Sequence, residues 1–246
     1  MATIYSGNND GYVRGFSTVN WATAKALTTG NTASSTGNSY NFAIQSGEVY
    51  LPRTGATLYV NTRSFFEFDT SSISETPTAA TLNIYGLSAS SGDFFVIASN
   101  QGSTLGTGDF DAMVLSGAPA SYDGSGAGDI ESYVTKYSDE VTSWNISGYN
   151  SITLNAAALS QIASVSTFKI MCMESVHDMR DIQPSANNRS GAYYANNTGT
   201  SKDPYLDVTE AVTADNATFF GCNFWYLYIK EKCNIFKCKI LGKKEI

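Results

Sequence analysis

The chain predicts an all-β fold: a single antiparallel β-sandwich of jelly-roll type, with one short helix and an appended C-terminal tail. Three observations predict it. Apolar and polar residues alternate with a period of two in short runs, as strands with one buried and one wetter face require. Clusters of Gly, Asn, Ser and Thr stand between those runs and supply turns. No helical heptad and no repeat of fixed period interrupts the pattern, which leaves many short strands folded on one another.

In chain order, residues 2–5, 11–16, 40–44 and 57–61 read as short strands, separated by turns such as Ser6-Gly7-Asn8-Asn9 and Thr28-Thr29-Gly30-Asn31. Residues 21–26 read as a strand edge or a single turn. Residues 63–69 give the clearest alternation, with Arg63, Phe65, Glu67 and Asp69 on the wetter side and Ser64, Phe66 and Phe68 on the buried one. Ser71-Ser72 then turns the chain and Ile73 plugs the corner. In the next strand Leu82 and Ile84 face the core, while Thr81, Asn83 and Tyr85 face away. Residues 94–98 form a compact apolar strand, and a Gly-rich stretch follows over 102–128. After a strand at 151–154, Asn155 caps a short helix over 156–163, with Leu159 and Ile162 on one face. Residues 167–173 alternate again and turn Cys172 inward as a small apolar residue. A polar loop over 174–190 holds the only histidine, and 192–196 and 205–209 supply the last strands.

The composition breaks near residue 211. No Ser or Thr follows Thr218, residues 219–229 are aromatic and apolar, and Lys and Cys dominate the rest. The division is therefore a sandwich over 1–210 and an extension over 211–246. Its 11-residue apolar run is too short to span a bilayer, which leaves packing against a neighbour, an interfacial position, or no role at all.

Ser, Thr, Asn and Gly supply 95 of the 246 residues, as turn-rich exterior β-proteins require. At 42% hydrophobic and 13% aromatic, the chain still carries enough apolar surface for a core, which excludes intrinsic disorder. The net charge of −7 divides into −11 over residues 1–215 and +4 over 216–246, so the acidic body repels nucleic-acid phosphates. Cys172 is the one cysteine of the body, which excludes a disulfide within it. The first residues run straight into polar sequence with no apolar targeting segment, so synthesis in a reducing cytoplasm is expected. An exterior composition on a cytoplasmic product points to a virion protein released by lysis, or to export without a cleaved leader.

A set of motifs adds to this reading. Arg63, Phe65, Phe68, Asp69, Ser71, Ser72 and Ile73 fall at fixed spacing, followed by Ala80-Thr81-Leu82 and Ile84-Tyr85. Together with Asp10-Gly11-Tyr12-Val13 near the start and residues 203–209 at the end, this pattern resembles the DNRLRE-type jelly-roll modules related to carbohydrate-binding modules. The likeness covers roughly residues 5–210. It implies a jelly roll and a sugar-binding type of surface. Related modules join their first and last strands near a structural calcium, which places Asp10 and Asp207, with Asn8 and Asn9, as its candidate oxygens.

Other residues carry candidate chemistry. Sugar binding needs aromatic faces beside amides and carboxylates. Tyr193 and Tyr194 with Asn196 and Asn197, Trp144 with Asn145, and Tyr122 with Asp123 fit that description, although alternation sends some of these rings into the core. The segment His177-Asp178-Met179-Arg180-Asp181 lacks a nucleophile elbow or a second histidine. It reads as a structural corner in which Arg180 pairs with Asp178 or Asp181. The carboxylate pairs Asp109 with Asp111, Asp139 with Glu140, and Glu67 with Asp69 are what a polysaccharide hydrolase or lyase would need.

The leading expectation is therefore a non-enzymatic structural or adhesive protein of a virion surface, a phage head-decoration or fibre component. Its partners would be other virion proteins or further copies of itself, and surface glycans. The alternative is an exported or cell-surface carbohydrate-binding module, and the third is a glycan-active enzyme.

Overall fold

The computed structural model describes residues 1–117, 128–196 and 199–210, all within the unit Met1–Ala211. The expectations for Tyr122, Asp123, Asn197 and the 211–246 tail lie outside the described residues. The strands in chain order are β1 (Ala2–Tyr5), β2 (Gly11–Ser17), β3 (Thr32–Ser34), β4 (Ser39–Leu51), β5 (Ala56–Asp69), β6 (Ala79–Ser90), β7 (Phe94–Ala98), β8 (Tyr149–Thr153), β9 (Thr167–Glu174), β10 (Asn187–Tyr193) and β11 (Tyr205–Thr209). Two α-helices join them, α1 (Trp21–Lys25) and α2 (Ala156–Ser164). All strand pairings are antiparallel, and the expected all-β sandwich is what forms.

One layer runs β1-β11-β6-β8, and the other runs β10-β4-β5-β2-β3, with β9 and β7 continuing beside β5. Strand β6 belongs to both: residues 79–85 pair with β11 and β8, and residues 86–89 pair with β10. Between the layers lies the main core. Leu82, Ile84, Ile152, Leu206 and Val208 from one sheet meet Ile44, Phe66, Phe68, Phe168 and Ile170 from the other. Helix α2 closes one end with Ala158 and Ile162, capped by the Asn155 carboxamide on the Ala157 and Ala158 N–H groups. Cys172 is fully buried there, and burial pushes its thiol up, so it packs as a small apolar residue as expected.

Of the two expectations for residues 21–26, a strand edge or a single turn, the turn is what forms, as the short helix α1. The Asn20 side chain accepts the Thr23 N–H at 2.8 Å, which starts a helix that buries Trp21 and Ala24. A polar cap and two inward residues one turn apart outweigh the weak helix propensity of Thr23.

The wetter side of β5 is the larger correction. Arg63 and Phe65 are as buried as Phe66 and Phe68, all at 0% exposure. Of residues 63–69 only Glu67 and Asp69, at the end of the strand, reach solvent. A second core covers that side, in which Val13, Phe65, Ile97, Met171 and Met173 meet residues from irregular segments, among them Phe110, Met113, Ile130 and Met179. Alternation tells which residues share a face. It does not reveal that irregular chain covers the second face.

Arg63 ties that covering together. Its Nε and Nη2 donate to the two Asp178 carboxylate oxygens at 2.8 Å each, and its Nη1 donates to Phe110 O and Asp111 Oδ1 at 2.6 Å each. The guanidinium carbon also lies 4.1 Å from the Phe110 ring centroid. Burial would raise the Asp178 carboxyl, but Arg63 overrides it and holds it below the usual range. The Glu174 carboxylate caps the turn that carries Asp178, accepting the N–H groups of Val176, His177 and Asp178. Arg180, expected to pair with Asp178 or Asp181, instead grips Glu131 and Glu140. Asp178 is claimed by Arg63 because that pair is dry and bidentate, the stronger geometry.

Candidate functional site

The outer face of the β1-β11-β6-β8 layer carries a row of tyrosines. It arises from register. Tyr5 lies opposite Tyr205 across β1 and β11, Tyr205 opposite Asn83 across β11 and β6, and Tyr85 opposite Tyr149 across β6 and β8. Inward residues alternate with them, so the rings share the outer face. Tyr193, at the end of β10, joins the row where β6 enters the second layer.

The rings touch in sequence. Centroids are 5.5 Å apart from Tyr193 to Tyr85, 5.2 Å to Tyr149, 5.0 Å to Tyr205 and 5.7 Å to Tyr5, mostly edge to face. Asn83 also points outward, yet it is only 3% exposed because the Tyr149 and Tyr205 rings meet across β6. Beneath them it accepts the Ser151 hydroxyl at 2.7 Å. Two hydroxyls are pinned: Tyr85 donates to Ser147 O at 2.8 Å and Tyr149 to Asp203 O at 3.1 Å. Burial pushes the Tyr149 phenol up to about 12, with Tyr205, Tyr5, Asp203 and Tyr85 adding to it. The Tyr205 phenol is raised in the same way, by burial and then by Asp207 and Tyr5. These two rings therefore stay neutral at ordinary pH.

Beside the row lies a cleft of about 430 Å³, lined by residues 140–143 and 149–153. Tyr149 forms part of both. The hydroxyls of Thr142, Ser143, Ser151 and Thr153 stand around the Tyr149 ring, a combination suited to polyhydroxylated ligands, while the Asn150 amide is taken up by the Asn145 N–H and the carbonyls of Ile84 and Asn145.

The residues expected to bind sugar part company here. Tyr193 stands in the row. Tyr194 does not: it is 1% exposed, and its hydroxyl shares a 2.7 Å hydrogen bond with Ser64 inside the main core. Adjacent strand residues face opposite ways, so only one of the two could be outward. Trp144 is half-buried against Phe94, with its indole N–H donated to Gly191 O at 2.9 Å. It anchors the 144–148 turn rather than offering a free face. Asn196 donates to Ser35 O at 2.5 Å, away from the row. Tyr5, Tyr85, Tyr149 and Tyr205 escaped the sequence reading as a group, although Tyr85 was already assigned an outward position. The missing signal was register, which alone says that they are neighbours.

Asp10 and Asp207, the candidate calcium oxygens, are not brought together. Asp207 accepts the Thr3 hydroxyl at 2.7 Å on the outer face. Asp10 is fully buried, accepts the Ala195 N–H at 2.7 Å, and has Asp203 and Glu67 as charged neighbours. Among the described residues no group of three His, Cys, Asp or Glu side chains is placed to hold a metal ion, and Ca²⁺ takes about six to eight oxygens. The donor set does not fit the ion. Five of the six carboxylates considered for hydrolysis are engaged structurally: Asp109 by the Gly102 and Gly106 N–H groups, Asp111 by Arg63, Glu140 by Arg180, Asp69 by Ser71 and Glu67 by Asn9. Asp139 is exposed, and its expected partner Glu140 is held by Arg180. The His177 ring bonds Ile182 O at 2.6 Å. No helix among the described residues is long and apolar enough to cross a membrane.

A scan against protein-family models and a search of the curated proteins return no match. The resemblance to the DNRLRE-type modules therefore rests on its motifs alone.

Proposed function

We propose that this protein acts without catalysis as an adhesive component of a virus particle surface, a phage head-decoration or fibre protein that holds glycans on its tyrosine row. The observation that carries the reading is the row itself: five neighbouring rings on one outer sheet face, beside a hydroxyl-lined cleft. Sugar C–H faces pack on aromatic rings, and such an open site binds weakly. Weak sites become useful in many copies, because linked binding raises avidity by about 10²–10⁴ without new contacts. Attachment to other virion proteins or to further copies of this chain would supply that multiplicity. The Ser-, Thr-, Asn- and Gly-rich surface suits an exposed particle.

Two measurements test it. Quantification in purified particles should find the protein at a copy number matching a capsid or tail symmetry. A glycan array should show binding that Tyr149→Ala removes. Array binding by a monomer absent from particles would turn the reading to an exported carbohydrate-binding module. Glycan binding unchanged in Tyr149→Ala would overturn the role of the row.

A further inference from the structure

Lys202 sits on the tyrosine row. Its Nζ lies 4.2 Å from the Tyr193 ring centroid and 5.2 Å from that of Tyr85. The two rings hold one side of the ammonium by cation–π attraction, while its three N–H donors remain available to a ligand. No carboxylate among the described residues lies within ion-pair distance of it. Its neighbour Asp203 turns inward at 7% exposure. Five other cations of the unit are committed: Lys25 and Arg63 are buried with acids, Lys136 and Arg180 share Glu131, and Lys169 donates to Gln101 O. Arg14 and Arg189 lie instead over Phe16 and Phe42, away from the row. In a body of net charge −11 over residues 1–215, an unpaired cation on the aromatic row is a local reversal of sign.

The opposite end of the row has the opposite character. Asp207 sits beside Tyr205, bonded to Thr3, and contributes to raising the Tyr205 phenol. A uniformly charged polyanion would meet that carboxylate. A ligand with one acidic sugar at the Tyr193–Tyr85 end and neutral sugars toward Tyr5 would meet complementary charge at Lys202 and no like charge elsewhere.

We propose that the row is specific for anionic glycans in which a single carboxylate-bearing sugar seats on Lys202 and neutral sugars lie over Tyr149, Tyr205 and Tyr5. This rests on the reading of the row as a glycan face. The rings contribute contact that every sugar can make, and Lys202 selects among sugars.

The test uses the full chain and a panel of sialylated, glucuronylated and galacturonylated oligosaccharides, each beside its carboxyl-reduced counterpart, with Kd measured by calorimetry. The wild type should bind at least one acid about tenfold or more tighter than its reduced form, a preference that shrinks as salt is raised. Lys202→Met should abolish the preference by weakening the acid alone, and Lys202→Arg should keep it. Tyr149→Ala should weaken both forms. Equal affinity of the wild type for acid and reduced forms, with both lost in Tyr149→Ala, would overturn the role of Lys202 and leave the glycan face standing. Absence of wild-type binding to every member of the panel would overturn both.

Discussion

Replacing Asp10 by Asn tests how the sandwich tolerates a buried carboxyl that has no cation beside it. Asp10 is fully buried and accepts one backbone N–H, from Ala195, on Oδ2, with the Ser6 hydroxyl beside it; these two groups favour the carboxylate but offset only part of the cost of burial. Burial is the main force that pushes its carboxyl from 3.8 up to about 7, and the negative charges of Asp203 and Glu67 add to it. The folded state therefore prefers the neutral acid. Below the unfolded value of 3.8 both states are protonated and nothing is lost. As pH rises toward 7 the unfolded chain ionises freely while the folded chain resists, so stability falls, and the loss levels off above about 7. The full span is on the order of 4 kcal/mol at 1.36 kcal/mol per pKa unit. Asparagine imitates the protonated acid and can still accept the Ala195 N–H. Urea titrations followed by tryptophan fluorescence from pH 4 to 8 should find Asp10→Asn close to wild type at the acid end. At the alkaline end it should be more stable by up to about 4 kcal/mol. A difference that stays flat across that range, or a variant less stable at pH 8, would refute the reasoning.

Arg63→Met should cost about 3–5 kcal/mol in urea unfolding, because Asp178 is then buried without its cation. Arg63→Lys should recover only part of this, since an ammonium cannot reproduce the two parallel bonds to Asp178; full recovery would count against the geometry. Gly86→Ala places a Cβ 2.0 Å from Asn145 O, and thermal melts should show a loss of about 1–3 kcal/mol from the enforced shift. Tyr193 and Tyr194 should behave as opposites. Tyr194→Phe should lose about 1 kcal/mol of stability with its Ser64 hydrogen bond and leave glycan binding intact, while Tyr193→Ala should weaken binding with little change in melting.

The sequence reveals strands better than it reveals what covers them. The alternation at 63–69 gave the correct sets of neighbours on β5, and the helix after Asn155 was legible from its cap and its apolar face. The burial of Arg63 was not, because the residues that cover it, Phe110, Asp111 and Asp178, lie 47 to 115 positions away in segments without periodicity. Arg180 shows the same limit: its local acids were visible, but its partners Glu131 and Glu140 come from elsewhere in the chain. The candidate site followed suit. Outward tyrosines can be assigned strand by strand, yet only the pairing of β6 with both β11 and β8 makes them one surface.

The pairing of β1 with β11 gives the sandwich a direction of mechanical weakness. Ala2 stands opposite Val208 and Tyr5 opposite Tyr205, so tension applied between residues 2 and 208 peels that ladder from its end, one bond after another. Tension applied between Tyr149 and residue 209 instead runs along β11. It meets the four register pairs with β1 and the five with β6 together. Shear across many bonds at once resists far larger forces than sequential peeling. The same strand is thus easily unzipped when residues 2 and 208 are drawn apart and strong under a load along its own length.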